Sequence, residues 1–207
     1  MKTKLFAICL LLFATSGIAT ISAQSRANTR NTNPKGTPSI PEISPSTIGK
    51  PFDFSPAAIK KFDKENDDGM YSDIYDILGG GCSFYCGCEI GEQKASSPLK
   101  AQGKFNYKAG NAHDLSLETT WAEGVEGDGI GEWIEYKLPA TNPRITQIVI
   151  ANGYVRTKKA WTENSRGEAL EVSVNGKKHS MLYLKDVYAL QYFDVPTIGY
   201  NDREHLD

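Results

Sequence analysis

Thr119-Thr-Trp-Ala-Glu-Gly-Val-Glu-Gly-Asp-Gly-Ile-Gly-Glu-Trp-Ile-Glu-Tyr136 is the stretch whose reading decides the fold. Its first part cannot be the interior of a regular element. Gly124, Gly127, Gly129 and Gly131 fall too close together, and glycine has the most conformational freedom to lose. Its second part alternates: Glu132-Trp133-Ile134-Glu135-Tyr136-Lys137-Leu138, closed by Pro139, carries the period of a half-buried strand. Trp121 and Trp133 bracket a loop that carries Glu123, Glu126, Asp128 and Glu132. The expected arrangement is a Trp-bearing edge, an acidic loop and a strand, with aromatic faces and carboxylates meeting near one end of a sheet. That chemistry suits a hydroxyl-rich ligand and repels phosphate. The plain alternative is that both tryptophans pack the sandwich and the acids are solvated.

Toward the C-terminus the chain is strand-rich. Ile145-Thr-Gln-Ile-Val-Ile-Ala151 reads as a buried strand closed by Asn152-Gly153. Ala169 to Val174 alternates, with Leu170, Val172 and Val174 on one face. Asn175-Gly176 is a two-residue hairpin turn into a return strand over 179–184. A further strand over 190–195 is stopped by Pro196. Short strands separated by turn signals, with no long amphipathic helix after residue 70, predict an all-β sandwich or barrel.

Residues 1–23 read as a signal peptide. Lys2 and Lys4 precede an apolar run from Leu5 to Ala14, and Ile21-Ser22-Ala23 offers small residues for cleavage before Gln24. The apolar run is short for a membrane span. This predicts a secreted, periplasmic or cell-envelope product, in contact with a membrane only through its leader. Residues 24–54, rich in Ser, Thr, Asn and Pro, are expected to be a disordered linker. Residues 55–80 form a short helical lead-in, with Ser55 as N-cap and Pro56 at the first helical position.

The cluster Gly81-Cys-Ser-Phe-Tyr-Cys-Gly-Cys88 reads first as disulfide chemistry in an exported chain. Cys82 with Cys86 or Cys88 closes a very small loop, which needs Cα atoms within about 7 Å, and one cysteine is left over. Cys82 with Cys86 is the pairing expected. A zinc site with His113 as fourth ligand is the competing reading, weakened by the absence of a second CxxC or HxxxH half. Glu89 and Glu92 near Cys88 disfavour a reactive thiolate there. A net charge of -2 argues against a nucleic-acid partner.

The residues from about 80 to 196 resemble the galactose-binding-like, discoidin-type domains, and within them the NADase-type glycan-binding subgroup. The resemblance is carried by Gly81-Cys82-Ser83-Phe84-Tyr85-Cys86-Gly87, Ala95-Ser96-Ser97 and Asn111-Ala-His-Asp114. It continues through Thr119 to Ile134, Ile150-Ala-Asn152-Gly153-Tyr154, and Gln191-Tyr-Phe193. It implies a jelly-roll β-sandwich over 81–207 that is not itself an enzyme and binds a glycan through loops at one end. It also implies calcium near Asp114, although the usual Asp-Gly-Asp is here Asp114-Leu115-Ser116. Such sandwiches continue with one or two strands beyond the segment matching 190–195. The expectation is therefore a sandwich missing its last strands, with an unpaired edge or a partner strand.

Three functions follow. The first is a carbohydrate-binding module with Trp121, Glu123, Glu126, Asp128, Tyr154 and Arg156 at its site: Tyr154 stacking, the acids and Arg156 hydrogen-bonding hydroxyls. The second is an adhesion or protein-interaction module that uses the same loops against a cell-surface protein. The basic segment Lys158-Lys-Ala-Trp161-Thr-Glu-Asn-Ser-Arg166 adds to it, unless Trp161 simply packs on the sandwich. The third is a glycoside hydrolase, which requires two acids about 5–10 Å apart across a cleft. Neither G-x-S-x-G nor H-E-x-x-H occurs. Gly127-Asp-Gly129-Ile-Gly131 leads into a strand and carries an acid where a dinucleotide fingerprint would meet phosphate. His113, His179 and His205 have no catalytic partner in the pattern.

Overall fold

The computed structural model describes residues 7–13, 19–26, 40–67, 73–76, 91–138 and 145–199. Two sheets face each other. The five-stranded sheet has the order β4 (Thr47–Pro51), β11 (Ala189–Ile198), β8 (Ile145–Asn152), β1 (Ala7–Phe13), β6 (Trp121–Ala122). The six-stranded sheet has the order β3 (Glu42–Ile43), β10 (Lys177–Tyr183), β9 (Ala169–Val174), β2 (Ala19–Arg26), β7 (Trp133–Leu138), β5 (Gln93–Ala95). All described pairings are antiparallel except β10 with β3. The chain is an all-β sandwich, as its strand pattern predicts.

Alternation places the core. In β7, Ile134, Tyr136 and Leu138 are buried, whereas Trp133 and Glu135 are half-buried and Lys137 is exposed. These inward residues meet Ile148 and Ile150 of β8, Leu170 and Val172 of β9, Leu182 of β10 and Phe193 of β11 in one cluster. The β9–β10 hairpin turns on Asn175 and Gly176, both at positive φ (50° and 75°), the conformation that an Asn-Gly turn supplies. Pro196 does not stop the last strand. β11 runs to Ile198 across a register shift between Asp194 and Ile198, and a break in the ladder tolerates the missing proline N–H.

Two expectations change, one near each end of the chain. The segment read as a disordered linker contributes β3 and β4, and α1 (Pro56–Glu65) follows it. Its aromatics are the cause. Phe52 stacks on Phe54 (5.9 Å) and meets Tyr188 edge-on (5.2 Å), and Phe54 stacks on Tyr75 (4.6 Å), fastening Phe52, Phe54 and Tyr75 to the sandwich. The helix is capped as predicted: Ser55 Oγ accepts from the Ala58 N–H at 3.2 Å. The unpaired edge expected beside 190–195 is not found either, because β11 lies between β8 and β4. One inner place in each sheet is held by β1 or β2, from the stretch with leader character. The cysteine cluster, with the Cys82–Cys86 pairing, and His205 lie outside the described residues.

Candidate functional site

β6 is an edge of one sheet and β7 belongs to the other, so the acidic loop between Trp121 and Trp133 crosses from sheet to sheet. Register puts it at one end of the sandwich. Ile8 of β1 pairs with both Trp121 and Asn152, and Trp133 pairs with Gln24 of β2, next to the Ala169–Arg26 pair. The turn after Asn152, which carries Tyr154 and Arg156, therefore opens at the same end.

The loop's residues divide into two groups. Trp121 is 1% exposed and donates from Nε1 to the Ser97 carbonyl at 3.3 Å, so it is a packing residue and not a platform open to ligand. Glu123 is equally buried. Its carboxylate accepts from the Val125 N–H at 2.8 Å, and a Cβ on Gly129 would stand 3.0 Å from its Cγ. Gly127, Gly129 and Gly131 take positive φ (107°, 60° and 92°), which lets the loop fold over that carboxylate. Gly124 has a different reason: a Cβ there would meet the Pro98 carbonyl oxygen at 2.6 Å. Glu132 accepts from Ser96 Oγ at 2.6 Å and from Ser97 Oγ, while Ser96 Oγ accepts from the Trp133 N–H and Ser97 Oγ from the Gly124 N–H, both at 3.0 Å. Glu123 and Glu132 thus hold the loop's shape. Glu126 and Asp128 are exposed on its outer side, with Val125 and Ile130 (60% exposed).

Tyr154 and Arg156 form a second group. Arg156 Nη2 pairs with Glu118 Oε1 at 2.6 Å, and its guanidinium lies 5.0 Å from the Phe105 ring centroid. Tyr154 Oη donates to the Glu118 carbonyl at 3.4 Å, and its ring meets Tyr107 edge-on at 6.4 Å. Burial pulls the Arg156 pKa down, but the hydrogen bond and charge of Tyr154, with the charges of Glu118 and Tyr75, outweigh it and raise it. Arg156 is therefore a fixed cation. Burial, then Tyr154, pushes the Tyr107 phenol up, so it stays protonated as a donor. Tyr107 also packs on Ala122 of β6, which links this group to the start of the acidic loop. Glu118, Phe105 and Tyr107 are absent from the candidates above. Lys104-Phe105-Asn106-Tyr107 alternates polar with aromatic, which was the available signal.

Calcium at Asp114 does not fit the residues present. Asp114 Oδ1 accepts from the Ser116 N–H at 3.2 Å and Oδ2 from Thr119 Oγ1, which turns both oxygens onto its own loop. Leu115 holds positive φ (65°) where the related pattern has glycine, so the turn survives the substitution under strain. A calcium ion takes six to eight oxygens, and no group of three or more acidic, histidine or cysteine side chains able to hold a metal occurs among the described residues. Trp161, in α2 (Lys158–Glu163), packs on the sandwich. It is 8% exposed, donates to the Asn152 carbonyl at 2.8 Å, and lies between Lys158 and Arg166.

Residues 84–206 match the family model described as the NAD glycohydrolase translocation F5/8 type C domain, well over half the chain. No curated protein and no solved structure matches. No helix among the described residues is long and apolar enough to cross a membrane.

Proposed function

Since this chain belongs to the NAD glycohydrolase translocation F5/8 type C domain family, a type of domain that is typically non-catalytic, we propose that it is an exported carbohydrate-binding module. Its glycan would sit at the sandwich end that carries Arg156. The observation that supports this is the half-buried group of Arg156, Tyr154 and Glu118 beside the exposed ring of Phe105. A cation held by a carboxylate over an aromatic ring offers fixed donors beside an apolar face. Sugars, with hydroxyls on their edges and C–H groups on their faces, are recognised by that combination. Glu126 and Asp128, exposed at the same end, add acceptors for hydroxyls. Export would follow from the leader character of residues 1–23. A hydrolase draws no support from Glu123, which is buried under its own loop.

A glycan-array screen of the folded chain tests the reading. Binding to a defined sugar class should fall at least tenfold in Arg156→Ala and in Tyr154→Ala, with cooperative unfolding retained. Absence of binding to any glycan by a folded chain overturns it. The exposed Val125, Ile130 and Phe105 favour a second reading, a protein-binding surface. Under that reading Ile130→Asp would abolish capture of a cell-surface protein and leave glycan binding untouched.

A further inference from the structure

β1 and β2 are inner strands, and no edge strand could stand in for them. β1 pairs with β8 from Ile8↔Asn152 to Phe13↔Gln147 and with β6 at Ala7↔Ala122 and Ile8↔Trp121. β2 pairs with β7 from Ala19↔Leu138 to Gln24↔Trp133 and with β9 from Ile21↔Val174 to Arg26↔Ala169. Among the described residues β2 is the one strand that links β3-β10-β9 to β7-β5, and β1 is the strand that joins β6 to β8. Taking both away cuts the six-stranded sheet in two, separates β6 from its sheet and turns β8 into an edge.

The same residues carry the leader signature. Cleavage after Ala23 would hydrolyse the Ala23–Gln24 bond, adding one water to give a carboxylate on Ala23 and an amine on Gln24. That bond lies inside β2, between the pairs Ala23↔Val172 and Gln24↔Glu171. A paired inner strand is closed to a protease, which needs an extended, unpaired segment. Processing and pairing are therefore exclusive. A chain cut before it folds keeps only Gln24, Ser25 and Arg26 of β2 and nothing of β1.

We propose that β1 and β2 are a replaceable strand pair, and that the processed chain takes up an equivalent pair from a second polypeptide to complete both sheets. The occupant is specified by the places it fills. One strand of about seven apolar residues, like Ala-Ile-Cys-Leu-Leu-Leu-Phe, runs antiparallel to β8. A short connection passes to the facing sheet. The second strand, of about eight residues, alternates small apolar with polar residues like Ala-Thr-Ile-Ser-Ala-Gln-Ser-Arg and runs antiparallel to both β7 and β9. Main-chain hydrogen bonds on both sides of each strand would supply the affinity, as in strand donation to an open sheet. An unfilled place would be an aggregating edge. This inference goes beyond the glycan reading and stands or falls independently of it.

The test starts from the full chain with a specific protease site introduced within residues 27–39. After cutting, hydrogen exchange is read at 133–138, 147–152 and 169–174. The nicked, unseparated chain should keep the protection of the intact one. Once the N-terminal fragment is removed in denaturant and the remainder refolded, exchange at these strands should quicken by roughly a hundredfold or more. A synthetic peptide of residues 5–26 should restore protection, and a scrambled peptide of the same composition should not. Protection that persists without the fragment overturns the proposal. So does loss of protection on nicking alone, or failure of the peptide to restore what the nicked chain retains.

Discussion

The acidic loop between Trp121 and Trp133 and the group around Arg156 lie at one end of the sandwich, and they use charge in opposite ways. In the loop, Glu123 and Glu132 point inward and are consumed by backbone N–H and serine hydroxyl groups. Around Arg156 the charges pair side chain to side chain at a half-exposed surface, beside aromatic rings. A dense run of acids therefore does not mark a binding site by itself. A buried carboxylate with backbone donors serves architecture, because those hydrogen bonds offset its desolvation and fix the loop around it. The surface pair is worth little to stability and stays available to a ligand.

The sharpest way to break this contrast is Trp121→Ala. If Trp121 is architecture, truncation should cost about 3–5 kcal/mol in denaturant unfolding, and binding by the fraction still folded should be unchanged. Next comes the pair Glu123→Ala and Glu126→Ala. The first removes a buried side chain that the loop folds over, with the acceptor of the Val125 N–H, and should cost about 1–3 kcal/mol. The second should stay within about 0.5 kcal/mol. Equal losses in the two, measured by chemical denaturation, would erase the division of the loop. Arg156→Ala should cost about 1 kcal/mol or less, from a partly screened ion pair and a cation–π contact, while removing ligand binding.

Leu115→Gly probes the loop that carries Glu118. Relief of the left-handed backbone, offset by glycine's entropy, should raise stability by up to about 1 kcal/mol in thermal unfolding. The smallest effect belongs to the strand that runs from the Asn175-Gly176 turn at the other end, as a control. Burial holds the His179 pKa below its ordinary value, against a hydrogen bond with the Pro196 backbone. The unfolded chain then binds the proton more readily. The contribution of His179 is complete above about pH 6.5 and declines as pH falls below it. His179→Gln should flatten that part of the stability–pH profile and leave binding at the Arg156 end unchanged.

Much of the architecture was legible because it is written in neighbours. The alternation of 133–138, the Asn175-Gly176 turn and the Ser55-Pro56 helix start each depend on adjacent residues, and each appears where the pattern puts it. The placing of the Trp-bearing edge and the acidic loop at one end of a sheet is of the same kind. In the stretch read as a linker, residues 42–54 depart from that reading because polar composition hides Phe52 and Phe54, whose partners Tyr75 and Tyr188 are far along the chain. The site was half legible. Tyr154 and Arg156 were named among the candidates, whereas Phe105, Tyr107 and Glu118 were not, because an alternation of four residues and a lone acid do not by themselves single out a site.

By itself the sequence determined the strands, their inward faces and the turns that join consecutive ones, since periodicity and turn chemistry act over a few residues. Only the tertiary structure decided which carboxylates are spent on the loop and which face solvent. Only it brought Arg156 onto Glu118, and only it seated β1 and β2 inside the two sheets. The physical reason is that these outcomes depend on which strands lie side by side and in what register. Hydrogen bonds between distant segments set that register, and no short stretch encodes its own partner.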